Sequence, residues 1–299
     1  MATPLEFWLY LPQMRLGMHD LVRRAQAAEA AGFAGIAGMD HLAPPGAESS
    51  PMFEAMTTNT WIAAHTRTLS VGSLVLCDSF RHPAVLAREA VTLDHASEGR
   101  FELGIGWGSV TSEFEAFGIG STEPKFRVGR LKESLEIMTA LWRGEGLDYE
   151  GEHFSLRAAQ QQPVPIGRIP IVIGGAGRKT MELVAAYADW WNVHVSILDR
   201  FEEMRERAGS ARSSLQVQVA FVGAGADRNE VDETARRRFW GGHVLGNANE
   251  LVDYFGTLAQ RGVERAYVWF TNFAPDETLR EFGQGVIEPL RSRGVSPSG

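Results

Sequence analysis

The sequence predicts a TIM-type (β/α)8 barrel with an insertion before the fifth strand. Short apolar runs alternate with amphipathic stretches eight times between positions 6 and 291, and no linker is long enough to separate two domains. The apolar runs lack a polar face, as expected of parallel strands buried on both sides. One irregular stretch, 143–168, interrupts the alternation. The 299 residues are therefore predicted to form a single domain (1–299), with a doubly wound open sheet as the alternative fold.

Each predicted strand is a short apolar run that ends at a turn residue. The first run stops at Pro12, and the fourth lies between Gly99 and Gly106. In chain order, the predicted strands are 6–11, 35–39, 69–77, 101–105, 171–173, 190–193, 216–221 and 266–270.

The predicted helices repeat apolar residues at helical spacing. The first carries Leu21, Ala25 and Ala28 on one face and ends at Gly32. A short helix that holds Glu113 is predicted after the fourth strand. The longer helices are, in chain order, 20–31, 52–65, 83–97, 126–142, 178–187, 198–208, 229–238, 249–261 and 276–291. The insertion fits no amphipathic helix, and its prolines and glycines indicate a hairpin-like segment.

Composition narrows the classes of function. The formal net charge is −8, from 37 acidic and 29 basic residues, and no basic run is present, so nucleic acid and anionic membranes are not expected partners. The single cysteine, Cys77, excludes an internal disulfide and a cysteine metal cage, which is typical of the reducing cytoplasm. Neither a signal peptide nor a run of about 20 apolar residues is found. A cytoplasmic protein is predicted.

Two candidate sites lie at predicted carboxyl ends of strands, where barrels of this kind place their active sites. Asp40 and His41 follow the second strand, and a carboxylate beside an imidazole suits proton transfer; a capping carboxylate and a packed histidine are the alternative. The segment IVIGGAGRKT joins the fifth strand to a helix through glycines, which suits a phosphate held by backbone N–H groups. The alternate glycines at 104, 106 and 108 leave room for an anion or a flat ring. A tight turn explains both glycine patterns equally well.

Tryptophans and histidines give further expectations. The residues Trp8, Trp107, Trp190 and Trp191 fall in or just past strands, where they either line an apolar pocket or pack in the core. No metal site is predicted, because metal-dependent barrel hydrolases need a His-x-His pair after the first strand, and the eight histidines never form one.

A series of motifs resembles the bacterial luciferase-like superfamily of flavin and deazaflavin enzymes. They are Leu11-Pro12, Asp40-His41, GSLVLCDSFRHP, RFELGIGWG, EFEAFGI, FRVGRLKESLEIMTALW, YEGEHF and IPIVIGGAG, in this order between positions 6 and 195. The resemblance implies a TIM-like barrel with an insertion before the fifth strand and a homodimer. Helices 52–65 and 83–97 carry enough Ala, Leu and Val for the paired surface.

The resemblance also implies roles for individual residues. Asp40 and His41 match the acid-histidine pair beside the reactive ring, and an Asp-His pair is typical of the coenzyme F420 branch, whereas several FMN-using relatives have Glu-His. A bulge with a non-proline cis peptide is expected at Leu74–Val75, behind the ring. The other expected cofactor-binding residues are Cys77, Gly106, Trp107 and Gly108, and the phosphate loop of Gly174, Gly175, Ala176 and Gly177.

The predicted function is an oxidoreductase that transfers hydride between coenzyme F420 and a small organic substrate. His41 is predicted to move the substrate proton, and Asp40 to orient the cofactor ring or the imidazole. An FMN-dependent monooxygenase working with a separate reductase is the alternative, and a cofactor-binding protein without turnover is a third hypothesis. The family's sugar-phosphate dehydrogenases carry an acidic residue where this sequence has Ser109, which argues against a sugar-phosphate substrate.

Overall fold

The computed structural model describes residues 5–239 and 242–293. Its strands are, in chain order, β1 (Glu6–Tyr10), β2 (Gly35–Gly38), β3 (Ser70–Ser73), β4 (Leu76–Cys77), β5 (Phe101–Gly106), β6 (Leu147–Glu150), β7 (Ser155–Ala159), β8 (Ile171–Gly174), β9 (Trp190–His194), β10 (Arg212–Phe221), β11 (Val244–Gly246) and β12 (Arg265–Phe270). Its α-helices are α1 (Met18–Ala30), α2 (Ala55–His65), α3 (Pro83–Ala96), α4 (Thr111–Phe117), α5 (Pro124–Leu141), α6 (Arg178–Tyr187), α7 (Phe201–Arg207), α8 (Arg228–Arg238), α9 (Ala248–Gln260), α10 (Asp276–Phe282) and α11 (Glu288–Arg293). Within these ranges, no helix is long and apolar enough to cross a membrane.

The parallel strands close into a barrel, which confirms the predicted fold class and excludes the open sheet. β1 pairs with β2 on one side and with β12 on the other, and the ring continues through β3, β5, β8, β9 and β10. Side chains alternate across β1 because successive residues of a strand point to opposite faces. Phe7 contacts Phe255 and Phe282 of the surrounding helices, whereas Trp8 packs against Tyr267 on the other face.

A buried ion pair lies where the strands β12 and β5 begin. The Arg265 guanidinium donates to both carboxylate oxygens of Glu102, at 2.6 and 3.0 Å, and to Glu6 at 2.9 Å. The rings of Trp8 and Trp190 lie 4.4 and 3.6 Å from its central carbon. These two tryptophans therefore pack around a charge at the amino end of the barrel.

The predicted insertion before the fifth barrel strand is present as the antiparallel hairpin β6–β7, followed by an irregular segment that leads to β8. One carboxylate on α5 fixes the hairpin turn. Glu133 accepts hydrogen bonds from the backbone N–H groups of Glu152, His153 and Phe154, at 2.7, 3.0 and 3.1 Å. The hairpin thus packs outside the barrel, on α5.

Element boundaries differ from the predictions where polar residues enter strands or where helices break. β10 begins at Arg212, four residues before its predicted start, because Ser213 and Ser214 are buried and donate their hydroxyls to the carbonyls of Gly262 and Trp191. The last predicted helix, 276–291, consists of α10, a π-helical turn at Gly283–Ile287 and α11.

The predicted third strand is split into β3 and β4 by one extra residue. Gly72 pairs with Glu102 and Leu76 pairs with Ile105 of β5. The interval is four residues on this strand and three on β5. The bulge presses against β5 at two glycines: a Cβ on Gly104 would lie 1.8 Å from the carbonyl oxygen of Ser73, and one on Gly106 would lie 2.8 Å from Val75 Cγ2. Two of the alternate glycines are therefore required by packing.

We expect Gly104→Ala to lower the free energy of unfolding by about 3 kcal/mol, because the added methyl overlaps backbone that is fixed in the sheet. Urea denaturation measures the change. Gly146→Ala is the matched control, since no described heavy atom lies within 4 Å of the added carbon, and its effect should stay within about 0.5 kcal/mol. Equal unfolding midpoints for the two variants would contradict this explanation of the glycine pattern.

Candidate active site at the carboxyl ends of the strands

A cavity of about 330 Å³ opens at the carboxyl ends of β2, β4, β5 and β8. It brings together every residue that the sequence predicted for the site. These are Asp40, His41, Leu74, Val75, Cys77, Gly106, Trp107, Gly108, Gly174, Gly175, Ala176 and Gly177. Their roles toward a cofactor stay predictions, but their convergence on one cavity is a property of the fold. The predicted cis peptide between Leu74 and Val75 is confirmed.

The imidazole of His41 is held by a carboxylate that the sequence interpretation did not assign. His41 Nδ1 lies 2.7 Å from Oε2 of Glu113, which is buried on α4. The other oxygen, Oε1, accepts from the backbone N–H groups of Leu42 and Ala43, at 2.6 and 3.1 Å. A carboxylate engaged in this way accepts hydrogen bonds, which places the proton on Nδ1 and leaves Nε2 as the basic nitrogen.

Asp40 does not hold the imidazole, and that part of its predicted role is wrong. Its Oδ2 accepts from the Cys77 backbone N–H at 2.8 Å and from Arg81 Nη1 at 2.6 Å, while Oδ1 accepts from Arg81 Nη2 at 3.0 Å. The side chains of Asp40 and His41 thus have separate partners. Whether Asp40 orients a cofactor ring stays a prediction.

The glycine-rich loop after β8 presents bare backbone to the cavity. Gly175 has a φ of 122°, and Gly177 caps α6 without a side-chain hydrogen bond to the first turn. α1, α5 and α10 likewise begin without such a bond, whereas α2, α8 and α9 receive one from Glu54, Asp227 and Asn247. In the described structure, no cap side chain accepts from the first N–H groups of α6, and an anion suits that position.

Trp107 lies between the glycine loop and α5. Its indole N–H donates to the Thr180 hydroxyl at 3.2 Å, and the Arg127 guanidinium lies 4.7 Å from its ring centre. Arg127 also donates to the Gly108 carbonyl at 2.8 Å. Of the four tryptophans considered above, Trp107 lines the cavity, whereas Trp191 is buried against Phe201 and donates to the Gly175 carbonyl.

A second cavity of about 190 Å³ continues the first along the barrel mouth. The two share Leu74, Val75 and the start of the glycine loop, and the second adds polar groups from His194 and Gln216. Neither cavity has a Lys or Arg among its described lining residues. No group of three or more His, Cys, Asp or Glu side chains that suits a metal is present in the described part of the chain.

A family model described as luciferase-like monooxygenase matches residues 2–263. The F420-dependent glucose-6-phosphate dehydrogenase of Mycolicibacterium fortuitum is 36% identical over 171 residues, which cover 56% of this chain and 50% of the relative. The enzyme of the same name from Rhodococcus erythropolis (strain PR4 / NBRC 100887) is 33% identical, with 63% and 55% covered. The chain thus spans about half the length of these curated relatives.

Solved structures share the fold at low sequence identity. An F420-dependent secondary alcohol dehydrogenase in complex with an F420-acetone adduct superposes with a TM-score of 0.79 at 18% identity, and 97% of this chain and 99% of that chain are covered. EDTA monooxygenase (EmoA) from Chelativorans sp. BNC1 superposes with a TM-score of 0.81 at 15% identity, and 98% and 95% are covered.

We expect the thiol of Cys77 to react slowly with iodoacetamide. Several causes raise the pKa of this thiol to about 12, and burial is the largest of them. At pH 8, only about 1 in 10⁴ molecules therefore carries the reactive thiolate. Alkylation of the folded protein should be more than about 100-fold slower than in urea, and about 10-fold faster at pH 9 than at pH 8. Mass spectrometry measures the rate of alkylation. The control is Cys77→Ser, which has no thiol and should remain unmodified. Rapid labelling of the folded protein at pH 8 would contradict this expectation.

Proposed function

The chain belongs to the luciferase-like monooxygenase family, and from this premise we propose that it is an oxidoreductase that transfers hydride between coenzyme F420 and a small organic substrate. The observation that carries the proposal is the convergence of two features on one cavity. One is an imidazole held by Glu113 with its second nitrogen basic, and the other is a glycine loop before an uncapped helix. The names of the curated relatives support F420 as the cofactor.

The residues present fit such a cofactor. Bound F420 would supply a ring carbon that accepts or gives a hydride, which is chemistry that no side chain provides. Leu74 and Val75 would form the apolar support for the ring, and Asp40, which lines the same cavity, would be a polar partner for it. Gly174, Gly175, Ala176 and Gly177, with the first N–H groups of α6, would hold the phosphate. Gly106, Trp107 and Gly108 would line the passage between the two.

His41 is the proposed acid-base residue. In oxidation of an alcohol, its Nε2 takes the hydroxyl proton while the carbon loses its hydride and the carbonyl forms. Glu113 stabilises the imidazolium that results, because its carboxylate already lies 2.7 Å from Nδ1. In the reverse direction, the same nitrogen returns the proton to the carbonyl oxygen.

We propose a substrate without a phosphate group. A sugar phosphate would need an anion site besides the glycine loop, which the cofactor phosphate would occupy, and the described linings of the two cavities offer no cationic side chain for a second one. Ser109, where an acidic residue was expected for sugar-phosphate dehydrogenases, also lines the first cavity. Small alcohols and ketones suit the first cavity, in which His41 supplies the basic nitrogen, whereas His194 lines the second.

Titration with each cofactor tests the proposed function. We expect F420 to bind in preference to FMN, and we expect an alcohol such as 2-propanol to reduce bound F420, which is seen as loss of its visible absorbance. Glucose 6-phosphate serves as the comparison substrate and should give no reduction. Tight binding of FMN without binding of F420 would transfer the assignment to the FMN-dependent monooxygenase; a protein named as a monooxygenase, EDTA monooxygenase, shares this fold.

Replacing His41 by Asn should slow single-turnover hydride transfer by about 10²–10⁴-fold, because Asn keeps a polar side chain but cannot take the proton. F420 affinity should change by less than about 3-fold, since the cofactor supports remain. Glu113→Gln should lower the rate by a comparable factor, because the amide oxygen is needed by the N–H groups of Leu42 and Ala43. Its NH2 would then donate to Nδ1 of His41 and place the imidazole proton on Nε2. Wild-type rates in both variants would show that His41 takes no part in the reaction. A lower melting temperature with an unchanged rate would show that His41 only packs in the structure.

We also propose that the protein is a cytoplasmic homodimer that binds no nucleic acid. α2 and α3 line an apolar groove of about 980 Å³, and Trp61 and Val85 on this groove are 43% and 53% exposed. A second copy would cover these side chains. Light scattering at micromolar concentration should give twice the mass of one chain, and Trp61→Glu should give one chain. A wild-type monomer would overturn this part of the proposal.

A further inference from the structure

One guanidinium lies between the cavity and the outer helices. Arg81, whose side chain is 13% exposed, donates to both oxygens of Asp40 at 2.6 and 3.0 Å. It also donates to Glu54 Oε1, and its Nε lies 3.9 Å from Glu89 Oε2. Three carboxylates thus contact a single cation.

The three carboxylates belong to two different surfaces. Asp40 lines the candidate active-site cavity, whereas Glu54 and Glu89 line the groove of α2 and α3. Glu54 also caps α2, since its oxygens accept from the N–H groups of Met56 and Thr57. The outer side of Arg81 is therefore anchored to a helix start, and its inner side sets the position of Asp40.

Asp40 depends on this contact because it is buried. An isolated buried carboxylate is strongly unfavourable, and a planar guanidinium fixes both of its oxygens in a way that an ammonium cannot. Burial by itself would lower the pKa of Arg81, but its hydrogen bonds to Asp40 raise that pKa above the usual value, so Arg81 remains a cation. Since Asp40 also accepts from the Cys77 N–H, the end of β4 is held by the same carboxylate.

We propose that Arg81 is a positioning residue, which holds Asp40 toward the cofactor and fixes it to the start of α2 through Glu54. This inference rests on the proposed function, because the group that Asp40 faces is the cofactor assigned above. Arg81 itself does not line the described cavity. It therefore acts through Asp40, and removal of Asp40 should remove its effect.

A double-mutant cycle on cofactor affinity tests the proposal. Arg81→Lys keeps the charge but loses the paired hydrogen bonds, and we expect it to raise the Kd for F420 by about 10-fold or more. In the Asp40→Asn background, the same change should alter the Kd by less than about 2-fold. Equal fold-changes in the two backgrounds would overturn the proposal.

The chain offers a matched control at the other end of the barrel. Arg265 donates to both oxygens of Glu102 at the same distances, 2.6 and 3.0 Å, and is buried. Arg265→Lys should lower the melting temperature and leave the Kd for F420 within about 2-fold of wild type. A similar loss of affinity in both lysine variants would mean that Arg81 has a purely structural role.

If Arg81→Lys does not fold, Glu54→Gln decides the question, because Glu54 is half-exposed and its amide keeps part of the helix cap. We expect Glu54→Gln to raise the Kd for F420 by about 3-fold, and to have no effect when Asp40 is already Asn. Additive effects would overturn the proposal. Wild-type binding tests the proposed function separately: if FMN binds and F420 does not, the cycle is run with FMN, and binding of neither would overturn both.

Discussion

The extra residue between β3 and β4 determines the shape of the carboxyl end of the barrel. The chain advances four residues from Gly72 to Leu76, whereas the paired stretch of β5 advances only three, so the segment between them must bulge out of the sheet. The bulge fits because Gly104 and Gly106 on β5 lack a Cβ. The displaced segment, Leu74–Val75, becomes one side of the cavity. Cys77, just beyond it, donates its N–H to Asp40. A packing constraint between two strands thereby fixes both the apolar side of the cavity and one of its charges.

The charges of the site are organised as two separate pairs. His41 has its carboxylate on α4, and Asp40 has its cation just before α3. Each buried ionisable group is matched locally, which keeps both Asp40 and Glu113 compatible with burial. A reacting group that lies between the two pairs would therefore have the Asp40–Arg81 pair on one side and the proton acceptor His41 on the other.

Much of the fold and most of the cavity could be predicted, because they depend on local patterns. The alternation of apolar runs and helical stretches predicts the barrel, and residues that follow the strands must meet at one end. The partners of charged groups could not be predicted from composition or spacing. Glu113 lies 72 positions from His41, and Arg81 lies 41 positions from Asp40. The early start of β10 was missed for a related reason, since Ser213 and Ser214 find acceptors only in the folded barrel.

The buried Arg265 cluster has a consequence for how this barrel can change over evolution. Its charges lie at the amino ends of the strands, with Trp8 and Trp190 around them, and they share no residue with the linings of the two cavities at the mouth. Mutations at the mouth can therefore alter ligand preference while the cluster continues to stabilise the scaffold. Such a separation lets one inherited barrel acquire new specificities by substitution of a few side chains.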